Sequence, residues 1–158
     1  MRLGGPLFCN PQDPESWIKA LQDTGYRAAV CPVSTEAKET EIKSYAEAAA
    51  KADISIAEVG VWASPMSSDP SKTKEGLIAC KRSLALADQI GAACCVNVSG
   101  SRGEIWYGPD ARNFSSDTFE MVVSCIREII DDVQPVRSFY TLETMPCMIP
   151  DSPDVYLK

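Results

Sequence analysis

The acidic, polar and aromatic residues that could do chemistry gather at the ends of short apolar runs. The run Phe139 to Met145 alternates so that Phe139, Thr141 and Glu143 share one face. A carboxylate at the carboxyl end of an apolar strand is costly unless it meets a cation or a partner, so Glu143 is a candidate metal ligand or acid/base group. The alternative is a carboxylate that caps a helix or pairs with an arginine. In the run Cys94 to Ser99, Cys95, Asn97 and Ser99 share a face, which makes Asn97 and Ser99 candidates to hydrogen-bond a hydroxylated ligand. Ser99 serves equally well to satisfy loop backbone groups. Trp62 ends the run Ile54 to Trp62, where an aromatic wall could take a sugar ring or complete the core. Glu58 lies deeper in that run and is expected to pair with Arg2. Arg102 and Trp106 sit in a long loop, Gly100 to Ser115, as positioning or lid candidates. Cys31 and Cys147 also follow runs, but two thiols without a third soft ligand make a poor metal site.

These positions need a scaffold, and the chain supplies one pattern repeatedly. Asp13-Pro14-Glu15 is an N-cap, a helical proline and a first-turn acid, with Gly25 as the stop. Helices are predicted over Glu39 to Ala52, Ser71 to Ile90 and Ser116 to Val133. The last repeats Phe119, Val122, Val123, Ile126, Ile129, Ile130 and Val133 at helical spacing, with Asp117 and Glu120 as a capping box. Between them fall five apolar runs: Leu3 to Phe8, Ala28 to Val33, Ile54 to Trp62, Cys94 to Ser99 and Phe139 to Met145. Asp151 to Lys158 reads as the start of a further helix. Strands alternating with helices imply a parallel α/β sheet whose post-strand loops carry the site.

Composition narrows the chemistry. The 158 residues are 45% hydrophobic and 23% charged, with a net charge of −7 and no histidine. No Ser-His-Asp triad, Cys-His dyad or His-ligated metal can be built from this chain alone. The acidic balance argues against nucleic acid and anionic membrane as partners. No apolar stretch reaches the roughly 18 residues of a transmembrane helix. MRLGGPLF lacks the apolar core of a signal peptide, and the seven cysteines contain no CxxC pair, so a cytoplasmic, reduced chain is expected. No GxGxxG or GxxxxGK[ST] follows a run, which removes the usual nucleotide fingerprint of an open doubly wound sheet.

The runs IAEVGVW (56–62), CCVNVSGSRG (94–103) and YTLETMPCMIPDSPDVYL (140–157) resemble the sugar phosphate isomerase/epimerase family with the xylose-isomerase-like TIM barrel. The likeness runs in order along residues 1–158, with LETMP its most specific part. It implies a (β/α) TIM-barrel fold with about five of eight strands here, one domain over 1–158, a small-molecule sugar or sugar-phosphate substrate and a divalent metal (Mn, Mg, Co or Zn). In such enzymes a glutamate ending the fifth strand is the first of four metal ligands, and Glu143 matches it. Trp62, Asn97, Ser99, Arg102 and Trp106 would then hold substrate. The other ligands come from later strands, so the chain is expected to be the N-terminal part of a longer enzyme, a fragment inactive alone. Ile149 stands where ketose 3-epimerases of this superfamily tend to carry a second glutamate, which leaves isomerases, other epimerases and dehydratases open. An open five-strand arc is expected to expose apolar surface, and to form a homo-oligomer, aggregate or fold only in part. Two other readings are a complete small α/β binding domain without catalysis and an AP-endonuclease-like nuclease; the acidic charge counts against the second.

Overall fold

The computed structural model describes residues 1–157. Five strands form one parallel sheet: β1 (Gly4–Gly5), β2 (Ala28–Val30), β3 (Ser55–Gly60), β4 (Cys94–Asn97) and β5 (Phe139–Leu142). Their order across the sheet is their order along the chain. A doubly wound sheet reverses its strand order at a switch point. This sheet has no reversal, and right-handed crossovers then keep every helix on one face. The architecture is an arc of a barrel.

The helices are α1 (Pro14–Thr24), α2 (Glu39–Lys51), α3 (Pro70–Ile90), α4 (Ser116–Val133) and the short α5 (Pro153–Tyr156). Local chemistry sets their limits. Asp13 caps α1 and accepts from Ser16 N–H at 2.8 Å, and Gly25 ends it in the left-handed region at φ 79°. Gly91 ends α3 in the same way. The helix α4 spans the predicted residues, but its cap is Ser115, whose hydroxyl accepts from Thr118 N–H. Asp117 lies inside the first turn, so the Asp117–Glu120 capping box is corrected.

One apolar cluster joins α1 to α4 with the sheet. Trp17, Leu21, Ile42, Tyr45, Cys80, Leu84 and Ile129 meet Ala29, Ile56, Val59, Val61 and Cys95. The strands are shorter than the apolar runs that announced them, β1 most of all. The opposite face of the sheet has no layer over it among the described residues. Val30, Trp62 and Phe139 are exposed there, Phe139 at 74% and Trp62 at 58%.

The amino-terminal edge is pinned by charge. Asp53 receives Arg2 at 2.7 Å and Arg27 at 2.6 Å, and these guanidinium hydrogen bonds hold its carboxyl below the usual range. Arg2 therefore pairs with Asp53 rather than with Glu58, as its position at the amino end of the sheet requires. Asp88 accepts the backbone N–H groups of Val136, Arg137 and Ser138 and so fixes the entry to β5.

Candidate functional site

In a parallel sheet the groups that can act on a ligand stand beyond the carboxyl ends of the strands. Glu143 is the first residue after β5. Its N–H donates to Asn97 O at 2.8 Å, which continues the ladder by one step, and its side chain is exposed. Alternation from Thr141 puts Glu143 on the uncovered face.

Trp62 reaches the same face by a route the alternation alone misses. The predicted face joined Ile54, Ile56, Glu58, Gly60 and Trp62. The register shifts between Ala29 and Val30, whose partners are Ile56 and Glu58. This irregularity changes the phase of β3. Ile54 and Ile56 face the helices, and after the shift Val59 and Val61 do so. Glu58, Gly60 and Trp62 are left on the open side. The Trp62 indole lies over Gly60, with Nε1 3.2 Å from where a Cβ would stand, so a larger residue at 60 would push the ring aside.

Asn97 is on the other face. It is fully buried, and its amide donates to Ala63 O at 3.0 Å and to the Tyr140 hydroxyl at 3.2 Å, and contacts Cys80 Sγ at 3.3 Å. Its carbonyl accepts from Ala63 N–H at 3.3 Å. Cys95 and Asn97 share a face, as the alternation predicts, but that face points to α3, not to the mouth. Asn97 fastens the ends of β3, β4 and β5 to α3, and no polar atom of it remains for a substrate. Burial pushes the neighbouring Cys95 thiol up to about 12, so it stays protonated.

Ser99 is buried, and its hydroxyl donates to Gly100 O at 3.2 Å, the backbone role foreseen as its alternative. Arg102 turns toward α4, with Nη1 3.4 Å from Thr118 Oγ1. Trp106 is half-buried and meets Tyr107 edge-to-face at 5.3 Å. Glu143 and Trp62 therefore share the open face, while Asn97, Ser99 and Arg102 are engaged within the protein.

The residue that organises the long loop, Asn113, carries no motif that singles it out in the sequence. Asn113 is buried, and its amide donates to Ser101 Oγ at 3.1 Å, Gly108 O at 3.3 Å and Cys147 O at 2.7 Å. Its carbonyl accepts from Arg102 N–H at 2.9 Å. The loop after β4 is thereby tied to the turn after Glu143. Asp110 caps the short 3-10 turn that carries Asn113, and its bonds to Arg112 hold its carboxyl down at about 2. Gly108-Pro109-Asp110 marks a turn and its cap in the sequence, but nothing in it points to the contacts of Asn113.

Among the described residues no three His, Cys, Asp or Glu side chains converge. Glu143 is a suitable hard oxygen donor, but these residues do not by themselves form a metal site. Cys31 and Cys147 belong to no such cluster either. No helix among the described residues is long and apolar enough to cross a membrane.

The arc is similar to about half of several solved barrels. One is a xylose isomerase-like TIM barrel protein from Mycobacterium smegmatis in complex with magnesium, at TM-score 0.59 and 14% identity, covering 94% of this chain and 53% of that one. Another is D-allulose 3-epimerase from Methylomonas sp. in complex with D-allulose, at TM-score 0.65 and 13% identity, covering 99% and 57%. A third is the apo form of 3-keto-D-glucoside 4-epimerase from E. coli, at TM-score 0.63 and 10% identity, covering 92% and 56%. No protein-family model and no curated protein matches the chain. The chain spans about half the length of the solved proteins it resembles. The likeness shows the fold: five consecutive parallel strands of a TIM-type β/α barrel, with the helices between them.

Proposed function

We propose that the chain is part of a sugar or sugar-phosphate isomerase or epimerase that moves a proton next to a carbonyl, and that residues 1–158 are inactive alone. The observation that carries this reading is the exposed carboxylate of Glu143, one residue past β5 on the open face of a TIM-barrel arc. A carboxylate there can take a proton from a carbon beside a carbonyl and return it. Trp62, on the same face, offers an indole for the apolar side of a sugar ring. The Asn113 network holds the turn after Glu143, and so sets where the carboxylate stands. The reading includes a divalent cation held by Glu143 with ligands from outside residues 1–158; when bound, it would polarise the substrate carbonyl. Inactivity of residues 1–158 follows because the described residues offer one such ligand and no cluster.

The test joins residues 1–158 to the remaining strands of D-allulose 3-epimerase from Methylomonas sp. and follows solvent deuterium entering a panel of ketohexoses. The chimera should exchange the proton beside the carbonyl while residues 1–158 alone do not. Glu143→Gln should lose at least ~100-fold of that activity and weaken Mn²⁺ binding measured by electron paramagnetic resonance. A folded chimera whose Mn²⁺ affinity and exchange are unchanged by Glu143→Gln overturns the proposal.

A further inference from the structure

Beyond β1 and β2 a cavity of about 290 Å³ opens toward α1 and α2. Its wall includes Leu7, Trp17, Tyr45 and two cysteines, Cys9 and Cys31, and no charged side chain. Both cysteines line it because each lies just past the carboxyl end of one of two neighbouring strands. β1 and β2 are parallel neighbours in register, Gly5 opposite Ala29. Such strands lie about 4.8 Å apart. Cys31 is two residues past Ala29, its N–H still donating to Glu58 O at 2.9 Å, so it shares Ala29's helix-facing side. Cys9 lies on the loop that leaves β1 and crosses the same cavity before α1 begins. The two thiols differ in access. Cys9 is exposed, whereas Cys31 is half-buried, with its thiol 3.4 Å from Val33 O. Burial also pushes the Cys31 thiol up.

We propose that Cys9 and Cys31 are a reversible dithiol pair whose disulfide staples the loop after β1 to the end of β2 and closes this cavity. The oxidant is a small-molecule disulfide such as oxidised glutathione. The exposed Cys9 thiolate attacks one sulfur of that disulfide. Its S–S bond breaks, one thiol leaves, and Cys9 carries a mixed disulfide. Cys31 then loses its proton and attacks the Cys9 sulfur, which releases the second thiol. The protein loses two hydrogens, and the small disulfide gains them as two thiols. In a reducing compartment such a bond is transient, which suits a sensing pair rather than a structural one.

Peptide mapping of the whole chain decides this, independently of any catalysis. Trypsin places Cys9 in residues 3–19 and Cys31 in residues 28–38, each the only cysteine of its peptide. After equilibration with oxidised glutathione, trapping and unfolding, alkylatable thiols should fall from seven to five, and the 3–19 and 28–38 peptides should appear joined. Dithiothreitol should restore all seven. Cys31→Ser should leave Cys9 carrying glutathione, and Cys9→Ser should leave Cys31 free. A wild-type chain in which Cys9 accumulates glutathione without the joined peptide overturns the proposal. So does one in which both thiols stay free, or in which either pairs with another cysteine.

Discussion

The two faces of the one sheet behave as different materials. Toward the helices, Ala29, Ile56, Val59, Val61 and Cys95 are buried against four helices, and even Asn97 has its polar atoms paired. On the other side Val30, Trp62, Phe139 and Glu143 stand exposed, with a half-buried Glu58 between them. The same five strands supply both. A barrel interior looks like the second face once it is cut open, because its side chains have their packing partners on strands across the barrel. Stability therefore resides on the helix side, and the candidate chemistry on the open side.

Truncation should separate the faces most sharply. Leu84→Ala, in the centre of the helix side with no exposure, should cost ~2–5 kcal/mol in urea unfolding. Val30→Ala on the open side should stay within about 0.5 kcal/mol. Equal losses would mean that the open face is packed. Asn97→Ala removes a buried amide with four partners and should cost about 1–3 kcal/mol. A loss of ligand binding without a loss of stability would instead return Asn97 to the substrate role the sequence suggested. The smallest effect belongs to the loop after β4. The bonds from Arg112 keep the Asp110 pKa at about 2 in the folded chain, below the unfolded value of about 3.9. Its contribution is present above pH 3.9 and fades as pH falls toward 2. Asp110→Asn should flatten the acid limb of the urea midpoint between about pH 5 and 2, and an unchanged limb would remove Asp110 from the account.

Much of this was legible in the sequence where local chemistry decides the outcome. Asp13, Gly25 and Gly91 mark helix ends because caps and left-handed stops act within one turn, and α4 follows its apolar spacing. The faces were harder. Strict alternation carried Glu58 and Trp62 onto the side of Ile54 and Ile56, and the register shift at Ala29/Val30 undid it. The apolar positions Ile56, Val59 and Val61 held the clue, since their spacing of three and then two breaks the period. For Asn97 the parity was right and the direction wrong, because a lone polar residue does not tell which face is covered. The Asn113 network joins residues far apart in the chain, and no local pattern announces it.

The most direct test of the two-faced sheet uses neighbouring residues. Cys94 and Cys95 are consecutive in β4 and point to opposite sides, Cys94 half-buried on the open face and Cys95 fully buried against the helices. Native-state alkylation, read by fragment-ion mass spectrometry of the peptide that holds both, should modify Cys94 while Cys95 reacts only on unfolding. Equal protection of the two thiols, or faster reaction at Cys95, would contradict an arc with one face open.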